Sequence, residues 1–330
     1  MRSGVSAAMS SWVWDSWWAY DGPADRHHLF FLHAPMALGD PELRHRHARI
    51  GHASSPDLVG WTSHPAPLPE PAAGFDDLAS WTGCAVHDGR EWWLFTTGLS
   101  RDDGGLVQRI GAARSSDLDH WERTPLLLEA DPAHYQRTCA AWPEEAWRDP
   151  WVVRDEHGTW HLYVTARDAS GTRGCGVVGH ATSVDLVTWQ VGPPLSAPTG
   201  IFEWLEVISV VRVESRWVLV FSCLADQMSG AEPGSGGVWS VPVEGPGSPV
   251  DVAAAVRLSA EHRYAAHVVE RGGTSYLLGF CNQDEDGRFV GGLAPSAPVR
   301  WREDGAGLEI VPGAESIEHG PVQPADQPLV

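Results

Sequence analysis

The chain has 330 residues and a net charge of −20, and all 23 of its basic residues are Arg. So large a carboxylate surplus repels phosphate backbones and anionic bilayers, which excludes nucleic acid and membrane as expected partners. A hydrophobic content of 43% supplies a real core, and no apolar run approaches the length of a transmembrane helix.

In chain order, the first eleven residues carry no hydrophobic stretch of the kind a secretory signal needs. They read as a disordered segment, 1–11, on a cytoplasmic protein. Beyond them, Gly and Pro break the chain into short, alternating segments rich in Val, Trp and Phe, which predicts many strands and few helices. One strand recurs five times: HHLFFLH (27–33), EWWLFTTG (91–98), TWHLYVTA (159–166), RWVLVFSC (216–223) and SYLLGFC (275–281). Its anchor leucines, Leu29, Leu94, Leu162, Leu219 and Leu277, are spaced by 65, 68, 57 and 58 residues.

A second unit follows some of these strands: GHASSPDLVGW (51–61), GAARSSDLDHW (111–121) and GHATSVDLVTW (179–189). Each opens as a strand, turns at S-x-D-L, where Ser and Asp side chains can bond nearby amides, and closes on a Trp. Gly291 and Trp301 keep the same interval without the internal motif, and AEPGSGGVW (231–239) reads as a loop at a repeat edge. Five repeats of about four strands predict an all-β fold, a single five-bladed β-propeller over residues 12–312. No C-terminal β-sandwich is expected, and the polar segment 313–330 reads as a loosely held tail.

A third strand precedes each anchor. Thirteen residues before Leu94, Leu162, Leu219 and Leu277 stand Trp81, Asp149, Glu206 and Tyr264; fourteen before Leu29 stands Asp15. In a propeller the first strand of each blade lines the central channel, so Asp15, Asp149 and Glu206 are expected to converge there. Paired carboxyl groups are what glycoside cleavage requires, one to protonate the leaving oxygen and one to attack the anomeric carbon or activate water. A third can balance charge on the sugar. Asp15 lies among Trp14, Trp17 and Trp18, which could shape a sugar pocket, and Trp204 belongs with the same candidate binding residues. Arg148, next to Asp149, can hold a carboxylate or a hydroxyl in a fork. Glu206 opens a buried strand whose apolar surround would raise its pKa; Glu203 competes with it as proton donor.

VWDSW (13–17), WRDP (147–150) and an acid heading the next repeat resemble the family-32 and family-68 glycoside hydrolases, the invertases, levanases, inulinases and levansucrases. GHASSPDLVGW, FDDLASWTGCAV (75–86) and RIGAARSSDLDHW (109–121) are similar to family-32 strings in the same order. The resemblance runs over residues 12 to about 305. It implies Asp15 as nucleophile, Asp149 as transition-state stabiliser and Glu206 as acid/base, in a retaining mechanism on β-fructofuranosides. It also implies that Trp81 and Thr82 line the sugar subsite. The sequence departs from the family after Asp15, where Ser16-Trp17-Trp18 replaces Pro-Asn-Gly, and after Glu206, where Val207-Ile208 replaces Cys-Pro or Arg-Pro. Fructosyl transfer, inverting arabinanase-like hydrolysis, and carbohydrate binding without turnover are the alternatives.

The expected partner is a small carbohydrate or glycosylated metabolite, and the chain is expected to be a monomer or small homo-oligomer. No cofactor is expected. No metal is expected either: His45, His47 and His52 in ELRHRHARIGH (42–52) read as a surface loop. The scattered Cys84, Cys139, Cys175, Cys223 and Cys281 read as free thiols.

Overall fold

In the computed structural model, which describes residues 10–137 and 143–325, the chain forms five four-stranded antiparallel sheets, each built from four consecutive strands. The first strands, Ser11–Asp21, Ala79–His87, Trp147–Arg154, Glu206–Val213 and Arg263–Arg271, pack side by side in a ring, and the fifth meets the first. This is a single five-bladed β-propeller. Cys139 lies outside the described residues; Cys84, Cys175, Cys223 and Cys281 are free thiols.

All five anchor leucines sit in the second strand of their blade with no exposure to solvent. The sequence suggests a half-buried strand here. The structure buries both faces, because neighbouring blades cover the sheet on either side. Burial of each such side chain contributes about 1.5–3 kcal/mol.

The S-x-D-L turns act as their composition predicts. Asp57 Oδ1 accepts from the amides of Val59 (2.9 Å) and Gly60 (3.2 Å). Asp117 Oδ1 accepts from Asp119 and His120 (3.0 and 2.8 Å), and Asp185 Oδ1 from Val187 and Thr188 (2.9 and 2.7 Å). The chain reverses through Leu58, Leu118 and Leu186, all in the left-handed region at φ 61°, 67° and 61°. In two repeats the closing Trp reaches back, Trp121 Nε1 to the Leu118 carbonyl (2.9 Å) and Trp189 Nε1 to that of Leu186 (3.0 Å).

The expectation of a loosely held tail is corrected. Ile317 pairs with Ser296 of blade 5, and Val322 is buried. Ser63 Oγ donates to the Gln323 carbonyl (2.7 Å), and the Ser11 amide to Gln323 Oε1 (3.3 Å), so this segment fastens blade 5 to blade 1. At the other end, Ser10 already accepts from the Met36 amide (2.9 Å) and Ser11 opens the first strand, so the first blade begins inside the expected 1–11 segment; residues 1–9 lie outside the described ones.

Candidate active site

Every innermost strand carries a β-bulge just before its anchor pairing. The residues opposite the five anchor leucines are Trp18, Ala85, Val152, Val210 and Val268, and the bulge begins three positions earlier, at Asp15, Thr82, Asp149, Val207 and Ala265. Four of these hold left-handed backbone: Asp15 at φ 27°, Asp149 at 57°, Val207 at 52° and Ala265 at 45°. For a β-branched residue such as Val207 this is costly, about 1–3 kcal/mol, and such outliers gather where a site must be aimed. A bulge breaks the ladder and re-aims its side chain and amide.

This register corrects the idea of three acids at one phase. Asp15 and Asp149 occupy the bulge itself, whereas Glu206 stands one residue before it, equivalent to Trp14, Trp81, Arg148 and Tyr264. Counting back from the anchors crosses hairpin loops of unequal length, which does not preserve register.

The three carboxyls nonetheless meet. Thr82 Oγ1 donates to Asp15 Oδ2 at 2.7 Å. The Asp149 amide donates to Thr97 Oγ1 (2.9 Å), whose hydroxyl reaches the Thr82 carbonyl (3.1 Å), locking the bulges of blades 2 and 3 together. Thr165 Oγ1 lies 2.9 Å from Asp149 Oδ2, and the strained Val207 turns its amide toward the same oxygen at 3.3 Å. Arg148 spans the remaining gap, with Nη2 2.7 Å from Glu206 Oε1 and Nε 3.5 Å from Asp149 Oδ2. The Tyr264 hydroxyl donates to Glu206 Oε2 at 2.6 Å.

Burial, then the neighbouring Asp149, raise the Asp15 pKa from 3.8 to about 7; Glu206 adds to this, while Thr82 and Arg44 oppose it. Burial also raises Asp149, against the pull of Arg148. The surround of Glu206 is polar rather than apolar, since both oxygens are engaged by strong donors. Glu203 faces elsewhere: Arg167 Nη1, fully buried, is 3.2 Å from its Oε2. Geometry therefore places Glu206, and not Glu203, with the other two acids.

Of the expected binding residues, Arg148, Thr82 and Trp204 are brought to the acids, the guanidinium of Arg148 lying 5.2 Å from the Trp204 ring centroid. Trp14 and Trp81 flank them. Both rings meet the His45 ring edge-on (6.2 and 6.3 Å), and Trp81 Nε1 donates to the His45 carbonyl at 2.7 Å. Trp17 is not in the site. It is fully buried and stacked on Phe30 at 6.0 Å, because the bulge at Asp15 directs it into the blade core. Trp18 likewise packs toward the apolar cluster of Val13, Leu29 and Leu278.

Two further groups stand at the site without a local sequence signal. The segment 42–52 is not a free surface loop: Pro41–His47 is a 3₁₀ segment that buries Arg44, whose guanidinium lies 5.7 Å from the Trp14 ring centroid and 3.9 Å from that of Phe289. Burial and the charges of Arg44 and Arg148 lower the His45 pKa to about 3. His52 belongs to a different place altogether, buried in the third strand of blade 1. Thr97 and Thr165 are the other group, and their one sequence mark is that both stand three residues after an anchor leucine in their repeats.

Fold and site together define a five-bladed propeller with an axial carboxylate cluster organised by one arginine. Residues 20–232 match the family model for the glycosyl hydrolases family 32 N-terminal domain, and the chain belongs to that family. The match takes in Asp149 and Glu206 and begins after Asp15. The sucrose-6-phosphate hydrolase of Zymomonas mobilis is 31% identical over 209 residues, 59% of this chain and 38% of that protein. The fructan 6-exohydrolase of Beta vulgaris is 29% identical over 188 residues, 54% of this chain and 28% of its own. The chain thus spans well under half the length of these curated relatives. Among solved structures, the inulosucrase from Halalkalicoccus jeotgali bound to kestose superposes with a TM-score of 0.73 at 21% identity, covering 98% of this chain and 92% of that one. A Bacillus subtilis levansucrase variant in complex with oligosaccharides gives 0.75 at 16% identity, covering 98% and 91%. These likenesses extend the fold over the whole propeller.

Proposed function

We propose that the protein is a retaining glycosidase of small β-fructofuranosides. One observation carries the reading: Asp15, Asp149 and Glu206, from three blades, form a single cluster in a family-32 chain, with Arg148 tying Asp149 to Glu206. Asp15 attacks the anomeric carbon and forms a glycosyl-enzyme. Glu206 protonates the leaving oxygen, then deprotonates the incoming water. Asp149, held by Thr165 and the Val207 amide, offsets the positive charge that develops on the ring. Arg148 and Tyr264 fix the Glu206 carboxyl, and Trp14, Trp81 and Trp204 wall the sugar.

Catalysis needs Asp15 ionised, and its carboxyl, raised to about 7, is poised to lose its proton near neutrality. A carboxylate that titrates there is also a stronger nucleophile than an unperturbed one.

The four described cysteines are free thiols, which fits a cytoplasmic enzyme meeting sucrose-like metabolites rather than extracellular polymer. The test is a panel of sucrose, sucrose 6-phosphate, short fructans and aryl β-fructofuranosides followed by NMR. Release of fructose, first as the β-furanose, supports the assignment. Release of the α-furanose first means inversion, transfer to sugar acceptors means a fructosyltransferase, and saturable binding without products means a binding protein.

A further inference from the structure

We propose that the junction of blades 1 and 2, on the outer part of the ring, is a binding site for one divalent transition-metal ion of the Zn²⁺ type. His52 lies in the third strand of blade 1, His64 ends the short outer strand Thr62–His64 beside it, and Asp119 comes from the S-x-D-L turn of blade 2. One ligand atom from each lies within 4.8 Å of the other two. His64 Nδ1 is 3.1 Å from Asp119 Oδ1, close to the spacing of two ligands on one tetrahedral ion.

His52 is completely buried, and its Nδ1 has no hydrogen-bond partner; Asp119 Oδ1, at 3.7 Å, is beyond reach. A buried imidazole with one nitrogen engaged and the other aimed, unpaired, at a carboxylate calls for a cation. The outer nitrogens are already held as a metal site holds them. His52 Nε2 is 2.9 Å from His28 Nδ1, and His64 Nε2 is 2.8 Å from Ser54 Oγ. With Nε2–H donating outward on both rings, each Nδ1 presents its lone pair inward. Two imidazoles and a carboxylate suit Zn²⁺, Co²⁺ or Ni²⁺, and the half-exposed Asp119 leaves the fourth position to water. The two rings are stacked, centroids 4.6 Å apart and 26° from parallel, so His64, the more exposed, must turn toward the ion.

Blade 3 supplies an internal control. It repeats the inner pair, His161 Nδ1 lying 3.0 Å from His180 Nε2. At the position of His64 it has Gly192, bonded through its amide to the His180 carbonyl (3.0 Å). The imidazole pair is therefore a device of the fold, and the further ligands are peculiar to the junction of blades 1 and 2.

The test uses the full chain without a histidine tag, stripped with EDTA and titrated with Co²⁺. One equivalent is expected to give the intense visible bands of tetrahedral Co²⁺, bleached by Zn²⁺, and excess Zn²⁺ is expected to raise the thermal midpoint. Asp119→Ala and His64→Ala, both at partly exposed positions away from the acid cluster, should each weaken binding at least ~10-fold with an unchanged far-UV spectrum. His180→Ala should leave the bands as they are. Absence of a saturable one-equivalent spectrum, or equal loss in the His180 variant, would overturn the proposal. Because sugar turnover is not the readout, its failure and the failure of the glycosidase reading are separate results.

Discussion

Arg148 Nη2 lies 2.7 Å from Glu206 Oε1, while Nε of the same guanidinium lies 3.5 Å from Asp149 Oδ2. One buried arginine thus sets the relative placement of an acid from blade 3 and an acid from blade 4. Arg148→Lys keeps the charge but cannot hold both carboxyls, since an ammonium is a point donor and a guanidinium a planar fork. Steady-state kinetics of this variant should show kcat reduced by about 10²-fold or more with a smaller change in KM. An unchanged kcat would remove Arg148 from the account.

The pH profile follows from Asp15. Its carboxyl is ionised above about pH 7 and protonated below, so kcat/KM should fall tenfold per pH unit on the acid side of about 7. The Thr82 hydroxyl bond opposes the shift by favouring the carboxylate. Thr82→Val should therefore move the acid limb upward in pH. A limb that stays put, or moves down, contradicts the placement of Asp15.

Stability carries the same signature with opposite benefit. A carboxyl whose folded pKa is raised from 3.8 to about 7 binds its proton more tightly in the folded state. Its charge then weakens the fold as pH rises from about 4 through 7. Asp15→Asn, which cannot ionise, should be more stable than the parent above pH 7 by roughly 2 kcal/mol after allowance for solvent screening, the gain vanishing toward pH 4. Calorimetry at several pH values measures this directly; equal midpoints throughout would mean that Asp15 is not held against its charge.

The turns give a test unrelated to the site. Asp117 accepts two backbone amides, and those bonds hold its carboxyl well below the usual carboxylate range. Asp117→Ala should cost about 1 kcal/mol at pH 7. The parent should lose this contribution as pH falls through the lowered folded pKa. Denaturant titrations that superimpose would show the turn to be held by other means.

The repeat is legible because every blade needs one buried second strand, which leaves the anchor Leu, and three of the five close on a side-chain-bonded turn, which leaves the S-x-D-L. Asp15, Asp149 and Glu206 could be found from the same spacing. Their true register could not, because the inner bulges add a residue and the hairpins vary; a bulge whose left-handed position is filled by Asp or Val rather than Gly leaves no mark in composition. The place of Trp17 is hidden in the same way: nearness to Asp15 in sequence suggests the pocket, but past the bulge the side chain turns into the blade core. The burial of Arg44 and the convergence of His52, His64 and Asp119 depend on contacts between segments far apart in sequence, which no local pattern reports.

Asp15 is expected to become covalently attached to the sugar during turnover. In Glu206→Gln, an aryl β-fructofuranoside with a good leaving group can still glycosylate the enzyme, while the missing base slows release. Acid quenching followed by peptide mass mapping should find one furanosyl unit, on the peptide that contains Asp15. Release of the aryl group with no such adduct, or an adduct on another carboxyl, would contradict the account.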